Sequence, residues 1–488
     1  MSKLIEPGRN CWRIEQAERF SVIIDAEQYF LAARETMMKA KKSIMLIGWD
    51  FDARIRLGSP GQNDGAPDTL GDFILWLVDR EPNLHIRLLQ WDSRTFSNLF
   101  RGTNILYLLR WKAHKRITAR MDATLSAIAS HHQKLLVVDD SIAFCGGIDM
   151  TMNRWDTREH ADVQPARTTP SGKQMMPWHD LASIFEGPAA RAIGDHSRLR
   201  WQRACGEVLQ PVVADPVAWP KAVVPLAHPA HIGIARSQPS VADEAPVREV
   251  EALYLDTIAQ AKTLIYAESQ YFASRRIAAA MASRLEEPDG PEVVIINPTG
   301  TDGWLEPLAM DNTRARLVES LRRHGPRGRF ALYHPVTAQE KPIYVHAKMM
   351  IVDDRILRIG SSNFNNRSMR LDSECDVVLD ADQDNSGVLA RRIADLRHDL
   401  VAEHLGQTTD AVAAAYAREG SLIRAIETLR GAGRSLVPYV TPELSSLEAW
   451  IADNEILDPD GPEEVFESLS KRGLFRGRLR RPKLFSKA

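Results

Sequence analysis

The chain carries one spacing of chemically distinctive residues twice, and this repeat constrains its fold more than any other feature. In each copy a histidine is followed two residues later by a lysine and, after four more residues, by an aspartate: His132, Lys134 and Asp139, then His346, Lys348 and Asp353. After a gap of six residues, each copy reaches a turn of small residues, at 146–149 and 360–363. Chance repetition of so long a pattern is improbable. The sequence therefore predicts two equivalent halves that each give one histidine and one lysine to a shared site.

The overall composition is that of an ordinary soluble protein. Of its 488 residues, 44% are hydrophobic and 26% are charged, a balance typical of globular domains. This length suffices for two hydrophobic cores or one duplicated core. The formal net charge of −2 argues against a general nucleic-acid binder, which is usually basic.

No targeting or membrane-spanning segment is expected. Residues 1–20 carry charges throughout and lack the apolar centre of a secretion signal. The chain has no run of about 18 apolar residues, the length that a transmembrane helix needs. These features favour a cytoplasmic protein whose membrane contact, where it occurs, is peripheral on the inner membrane. Secretion by another route stays open.

The sequence indicates neither a cofactor nor a metal. The four cysteines form no C-x-x-C pair, so neither a zinc site nor a disulfide framework is indicated. No group of carboxylates or histidines has the spacing of metal ligands. Cys145 and Cys375 lie within apolar runs and are expected to be buried thiols.

Helical and strand-like patterns recur at matching places around the two motifs. Apolar runs at 40–51 and 261–272 open the two halves. Each run follows a helical pattern and precedes a further strand-like segment, at 27–39 and 84–90 in the first half and at 247–260 and 292–297 in the second. Strands that alternate with helices indicate a mainly parallel or mixed sheet. The predicted fold class is therefore α/β, built from two similar halves.

The predicted boundaries follow from the repeat and from the density of proline. The N-terminal half covers 1–205 and the C-terminal half covers 247–406. Between them, residues 206–246 contain seven prolines, which predicts an extended connection over the surface. A polar, turn-rich segment at 164–177 is expected to be a loop. The remainder, 407–488, is an extension outside the repeat, helical at 409–432, acidic at 443–467 and basic at 471–487.

The residues that follow each histidine predict a buried strand. Residues 134–138 and 348–352 are apolar apart from the leading lysine, and a pair of aspartates then turns the chain. On a strand, residues two apart point to the same face at a spacing of about 7 Å, so the histidine and lysine of each motif aim together. A cation beside an imidazole stabilises a core poorly, but it holds an anion such as phosphate well.

Two histidines and two lysines suffice for phosphoryl transfer. One neutral imidazole can attack phosphorus and form a phosphohistidine. The other, protonated, can donate its proton to the leaving alkoxide and then act as the base for the incoming water. The lysines offset the charge on the phosphoryl oxygens, so no metal is required. Because the two imidazoles need opposite protonation states, their surroundings should push their pKa values apart.

Each histidine also needs a partner that orients its second nitrogen. Carboxylates precede apolar runs at corresponding places in the two halves, and the candidates are Asp180 and Glu374. The alternative is that both are solvated acids at the ends of strands.

The doubled motif resembles the signature of the phospholipase D superfamily, and the similarity covers residues 24–406. Blocks in both halves resemble the phosphatidylcholine-type phospholipases D, namely 130–134, 146–149, 154–157, 177–180, 268–272, 344–348, 360–363, 366–368 and 372–374. The segments 396–397 and 403–406 are similar to the closing helix of that group. Together these blocks are specific for the superfamily.

The resemblance implies two α/β halves related by a pseudo-two-fold axis, with the active site at their seam. It implies that His132 is the nucleophile and His346 the acid and base. Asp139 and Asp353 belong to the catalytic motifs, where they stabilise the turns that follow the strands.

The resemblance also implies which residues bind the phosphate group, namely Lys134, Lys348 and Asn363. The first copy has Asp149 where the second has Asn363. An acid is unfavourable beside a phosphate, so Asp149 is expected to sit back from the oxygens and is left out of the catalytic set.

Three functions fit these residues. The leading one is hydrolysis of a phospholipid at a membrane surface, with water or a small alcohol as acceptor. The second is phosphatidyl transfer of the cardiolipin synthase type, whose members usually carry N-terminal transmembrane segments. The third is a nuclease, which the net charge of −2 disfavours, so no nucleic-acid partner is expected. A monomer is expected because both motifs lie in one chain.

The basic tail suggests a contact with membranes. Residues 471–487 carry eight lysines and arginines, no acid, and interleaved apolar residues. Each basic residue near an anionic bilayer contributes about 1 kcal/mol, and apolar residues can insert at the interface. The alternative is a solvated tail paired with the acidic stretch 443–467.

Overall fold

The protein is described by a computed structural model that covers residues 4–58, 64–92, 104–126, 129–241, 244–300, 306–323 and 328–442. Its strands are β1 (Arg13–Ala17), β2 (Phe20–Ile24), β3 (Ser43–Gly48), β4 (His85–Trp91), β5 (Ile117–Asp122), β6 (Leu135–Val138), β7 (Ile142–Gly146), β8 (Trp178–His179), β9 (Leu181–Glu186), β10 (Ala230–Gln238), β11 (Val247–Arg248), β12 (Leu264–Ser269), β13 (Glu292–Ile296), β14 (Phe330–Val336), β15 (Tyr344–Val345), β16 (Lys348–Val352), β17 (Ile356–Gly360), β18 (Glu374–Asp380) and β19 (Ser435–Pro438). Its helices are α1 (Ala26–Met37), α2 (Leu70–Arg80), α3 (Asn104–Ala113), α4 (Pro188–Cys205), α5 (Glu249–Gln260), α6 (Arg275–Glu286), α7 (Glu306–Arg323), α8 (Asn366–Arg370), α9 (Val388–Leu405), α10 (Thr409–Glu419) and α11 (Leu422–Leu429).

Two mixed sheets share one internal strand order. The first sheet has the strand order β2-β9-β7-β6-β3-β4-β5. The second contains β10-β18-β17-β16-β12-β13-β14, in which each strand takes the place of its counterpart in the first sheet. In both, the last three strands are parallel and the remaining pairs are antiparallel. The prediction of an α/β fold with two similar halves is confirmed.

The motif strands are buried on both faces, which explains why they are apolar throughout. In β6, Leu135 and Val137 join a core that both halves share, whereas Leu136 and Val138 face a core within the first half. In β16, Met349 and Ile351 enter the same shared core, and the alternate residues enter a core of the second half. The two sheets therefore pack against each other across one apolar seam.

The periodic segments predicted from the sequence are present with shifted ends. The helical patterns correspond to α1 and α5, and the strand-like segments correspond to β3, β4, β12 and β13. The segment 409–432 forms α10 and α11, and 164–177 contains no named helix or strand. Cys145 and Cys375 are buried, as predicted. The acidic and basic stretches beyond 442 lie outside the described residues.

The aspartates that end the motifs hold the turns after the strands. Asp139 accepts hydrogen bonds from the backbone amides of residues 41, 42 and 43 at 2.6–2.9 Å. Asp353 accepts from those of residues 262, 263 and 264 at 2.7–2.9 Å. Both aspartates have a positive φ, 51° and 55°, which aspartate tolerates in tight hairpin turns. These contacts tie each turn to the start of the neighbouring strand, at the end of the motif strand opposite its histidine.

The expectation of an extended surface connection is wrong for part of 206–246. Residues 230–238 form β10, which lies between β1 and β18 inside the second sheet. Prolines flank this stretch at 229 and 239 but are absent within it, and Ile232 and Ile234 are fully buried. The average proline density of the segment concealed a strand.

The predicted boundaries also need correction at both ends of the chain. The strand β1 belongs by sequence to the first half, yet it pairs with β10 at the edge of the second sheet. The strand β19 lies in the predicted extension and pairs with β14 at the opposite edge. In the described part of the chain, no helix is long and apolar enough to cross a membrane.

Candidate active site

Short parallel contacts across the seam position both motif histidines. The strand β8 of the first half pairs with β15 of the second, and the backbone amide of His346 donates to the carbonyl of His179 at 2.7 Å. At the equivalent place, His131 pairs with Ser373, and the amide of His132 donates to the carbonyl of Ser373 at 3.0 Å. Each motif therefore begins on backbone supplied by the other half.

The same contacts place each histidine beside a carboxylate from the opposite half. Nδ1 of His346 lies 2.7 Å from Oδ2 of Asp180. Nδ1 of His132 lies 3.1 Å from both carboxylate oxygens of Glu374 and 3.0 Å from the carbonyl oxygen of Ser361. Because these oxygens accept the Nδ1 proton, the lone pair of each imidazole is on Nε2. Sequence reasoning had named both carboxylates but not the exchange between halves.

The two carboxylates are fully buried but held differently. Glu374 accepts hydrogen bonds from Ser361 Oγ at 2.5 Å and from Ser368 Oγ at 2.7 Å. Asp180 accepts from the amide of Leu181 at 2.8 Å. Burial raises the pKa of Asp180 to about 7 and raises the pKa of Glu374 well above its ordinary value. Neither is a solvated strand-end acid.

The turn after the first motif must be small because it lies against Asp180. A Cβ atom at Gly147 would come within 2.1 Å of the Asp180 Oδ1 atom. Only glycine leaves the space that this carboxylate occupies.

The motif lysines lie beside their own histidines, as the strand geometry predicts. Nζ of Lys134 donates to the carbonyl of His132 at 2.8 Å, and Nζ of Lys348 donates to the carbonyl of His346. Both lysines are almost fully buried. Burial is the main cause that lowers the pKa of Lys348 to about 7.

The lysines differ in their remaining partners. Nζ of Lys134 lies 3.1 Å from the carboxylate of Asp149, whereas Nζ of Lys348 donates to the amide oxygen of Gln270 at 3.2 Å. Asp149 is thus the ion-pair partner of a phosphate-binding candidate, a role that sequence reasoning missed. Asn363 is buried, and its amide oxygen has no hydrogen-bond partner within the described residues.

The pKa values of the two histidines do not move in opposite directions. Burial lowers the pKa of His132 well below its ordinary value, and the charges of Lys134 and Lys348 lower it further. Burial and Lys348 lower the pKa of His346 in the same way. Both shifts have the same direction because both imidazoles are buried beside the same lysines, and the expected separation of the two values stays a prediction. A phosphodiester anion at this place would offset those charges.

Arg154 is a further cation at the site to which sequence reasoning assigned no role. Its guanidinium lies 4.4 Å above the ring centroid of Trp178, which in turn lies 5.2 Å from the His346 ring. Its Nε is buried and has no hydrogen-bond partner among the described residues. Its charge also lowers the pKa of His346. A stacked arginine beside two lysines gives the site a third positive charge for an anionic ligand.

Comparisons with known proteins find a match in each half of the chain. A family profile described as Phospholipase D matches residues 36–218, and one described as Cardiolipin synthase, PLD-like domain, matches residues 254–394. Phospholipase D alpha 2 of Oryza sativa subsp. japonica is 25% identical, over 77% of this chain and 63% of that protein. Phospholipase D A of Dictyostelium discoideum is 24% identical, over 81% of this chain and 36% of that protein.

A solved structure agrees on the fold. The crystal structure of phosphatidylserine synthase from Haemophilus influenzae Rd KW20 superposes with a TM-score of 0.54 and 16% identity, covering 79% of this chain and 88% of that one. The chain spans less than two thirds of the length of the curated relatives that it matches. Each half carries a profile of the same superfamily around its own motif, and the chain therefore belongs to the phospholipase D superfamily.

Proposed function

We propose that this chain is a phosphodiesterase of the phospholipase D type. It hydrolyses the head-group phosphodiester of glycerophospholipids to phosphatidic acid and transfers the phosphatidyl group to alcohols. The observation that carries the proposal is the pair of histidines at the seam, each with an Nε2 lone pair and a carboxylate from the opposite half. Hydrolysis of a phosphodiester in two steps needs two such imidazoles.

The first step forms a phosphohistidine. Nε2 of His132 attacks phosphorus, and the bond from phosphorus to the head-group oxygen breaks. His346, protonated once the phosphate is bound, gives its Nε2 proton to the departing oxygen. Glu374 and Asp180 keep the two rings in orientation, and Glu374 stabilises the positive charge that develops on His132.

The second step restores the enzyme. His346 takes a proton from water or an alcohol, whose oxygen attacks phosphorus. The bond from phosphorus to Nε2 of His132 breaks, and phosphatidic acid or a phosphatidyl alcohol leaves. Lys134, Lys348 and Arg154 offset the negative charge on the phosphoryl oxygens in both steps.

Phosphatidyl transfer of the cardiolipin synthase type is the alternative. The profile that matches residues 254–394 bears that description, and the reaction differs only in the acceptor alcohol. Nuclease activity stays the third alternative, which the net charge of −2 disfavours.

The test is an assay on phosphatidylcholine vesicles with and without ethanol. Hydrolysis predicts phosphatidic acid, and the added alcohol should convert part of it to phosphatidylethanol. His132→Ala should abolish both products, whereas His231→Ala, at an exposed histidine on β10, should retain them. Phosphatidylglycerol converted to cardiolipin, with no hydrolysis of phosphatidylcholine, would favour the alternative. Cleavage of DNA with no lipid product would overturn both.

A monomer is proposed because residues of one chain complete both histidine–carboxylate pairs. Sedimentation at assay concentration tests it. Cytoplasmic location with peripheral membrane contact stays a prediction.

A further inference from the structure

A second cluster of buried ionisable groups lies directly behind the His346–Asp180 pair. Its members are Asp25, His160, His179 and Glu403, none of them more than 4% exposed. They come from the end of β2, a loop, β8 and the last turn of α9, so both halves contribute. Placing this many charged and imidazole groups away from water is unfavourable unless something compensates them.

One possible ligand atom from each of the four side chains lies within 4.8 Å of the other three. Nε2 of His160 lies 3.4 Å from Oδ2 of Asp25 and 3.2 Å from Oε1 of Glu403. Nδ1 of His179 lies 3.1 Å from Oδ1 of Asp25 and 2.9 Å from the same Oε1 of Glu403. When four nitrogen or oxygen ligands surround a zinc ion tetrahedrally, neighbouring ligand atoms are about 3.3 Å apart. The four nitrogen–oxygen distances, 2.9–3.4 Å, include that value.

A hydrogen bond accounts for only one of these approaches, that of His160 Nε2 to Glu403 Oε1. Nδ1 of His179 and Oδ2 of Asp25 are both buried, and neither makes a hydrogen bond to any described residue. The carboxylate oxygens near Nδ1 are close enough, but they lie off the direction in which its proton would point. Buried polar atoms are almost always satisfied, and an ion held by both residues would satisfy these two.

The outer nitrogens of both imidazoles are held by carboxylates, as in metal-bound histidines. Nδ1 of His160 lies 3.0 Å from Asp156, and Nε2 of His179 lies 2.8 Å from Glu268. When a metal ion is bound, a carboxylate at the far nitrogen takes the proton there and leaves the near nitrogen with a lone pair for the ion. Asp156 and Glu268 are themselves fixed by Arg167 and by Tyr266 and His404.

We propose that Asp25, His160, His179 and Glu403 bind one zinc ion. Two imidazole nitrogens and two carboxylate oxygens form a closed set of four protein ligands, the arrangement of a structural rather than a catalytic zinc site. The sequence predicts no metal site, because these residues are scattered between positions 25 and 403 without ligand spacing.

The ion would act on the active site by positioning its backbone. The amide of Asp180 donates to Oδ1 of Asp25 at 3.1 Å, and the amide of His346 donates to the carbonyl of His179 at 2.7 Å. Two ligands of the ion therefore carry the segments that present the His346–Asp180 pair. The ion itself takes no part in the phosphodiester chemistry.

The test is the metal content of the full-length protein, purified without a polyhistidine tag or chelator and dialysed against zinc. Mass spectrometry should find about one zinc per chain. His160→Gln should reduce this content at least about tenfold, whereas His196→Gln, at a buried histidine outside the cluster, should leave it unchanged. Less than about a tenth of an equivalent in the wild type would overturn the proposal. So would occupancy by calcium or magnesium alone, since both prefer oxygen ligands.

A second measurement covers the case in which His160→Gln does not fold. The wild-type chain is unfolded in guanidinium with EDTA and refolded with or without zinc. Zinc should raise the melting temperature of the refolded protein, because an ion that binds only the native state stabilises it. Equal melting temperatures in the two samples would overturn the proposal. Neither measurement uses activity, so their outcome is independent of the proposed function.

Discussion

The two halves of the molecule share a strand order, but the surroundings of their motif histidines differ. The side chain of His132 is 16% exposed and contacts both Glu374 and a backbone carbonyl. The side chain of His346 is 5% exposed, contacts Asp180 and lies against the ring of Trp178. The more accessible imidazole suits attack on a phosphorus atom that arrives from outside, and the enclosed one suits proton transfer. Duplication thus supplies two equivalent positions, and the neighbouring side chains make them different.

The two motif lysines also occupy equivalent positions with different neighbouring side chains. Lys134 has an acidic partner, Asp149, whereas the hydrogen-bond acceptors of Lys348 among the described residues are neutral, namely the carbonyl of His346 and the amide of Gln270. The charge of Lys134 is partly offset by its own half, so Lys348 presents the less compensated charge when it is protonated.

The largest expected effect tests the division of labour between the histidines. His132→Ala and His346→Ala should each lower kcat by about 10³-fold or more, because each imidazole acts in both steps. With a substrate whose leaving group needs no proton, His346→Ala should accumulate a phosphohistidine at His132, detected by mass spectrometry of peptides. A phosphohistidine found at His346 in His132→Ala, and never at His132 in His346→Ala, would reverse the roles.

The exchanged carboxylates should give the next largest effect. Glu374→Gln and Asp180→Asn should each lower kcat by about 10²- to 10⁴-fold, because the amide can hold the wrong tautomer. Formation of the phosphohistidine from an activated substrate should recover in Asp180→Asn, which impairs the acid. It should stay slow in Glu374→Gln, which impairs the nucleophile. Single-turnover kinetics measure this step, and the opposite pattern would contradict the pairing across the seam.

A smaller effect, a change in kcat/KM of about tenfold per pH unit, concerns the two lysines. Burial lowers the pKa of Lys348 to about 7, so its ammonium is charged below that pH and neutral above it. The value of kcat/KM should therefore fall as the pH rises through about 7. Lys348→Arg should remove this fall, because a guanidinium stays charged, and Lys134→Arg should retain it. Comparing these two variants distinguishes the titration of Lys348 from that of Asp180, whose pKa lies in the same range. A profile that is identical in wild type and Lys348→Arg would contradict the assignment.

The smallest effect concerns stability rather than turnover. Asp139→Ala and Asp353→Ala each leave three backbone amides without their acceptor, which should cost about 1–3 kcal/mol of unfolding free energy. Urea unfolding should show similar losses for both, and the activity of the folded protein should change little. A loss in only one variant would show that the halves are not equivalent at these turns.

The sequence predicted what depends on local pattern. The apolar runs and the doubled motif predicted the strands around each lysine, and matching positions before apolar runs identified Asp180 and Glu374. Their exchange could not be predicted, because the partner of a side chain across a seam depends on packing between distant segments. The ion pair between Lys134 and Asp149 was missed for the same reason. The strand β10 was missed because proline was averaged over a segment whose centre contains none.

The exchange of carboxylates has a consequence for how such a molecule can arise and be divided. A fragment with only the first motif would hold His132 without its carboxylate and Asp180 without its imidazole. A half-length ancestor could complete a site only by pairing with a second copy, and gene fusion would then have made an intermolecular contact intramolecular. When the chain is cut between the halves, the separate pieces should be inactive. Activity should return when the pieces associate, provided that β1 can still pair with β10.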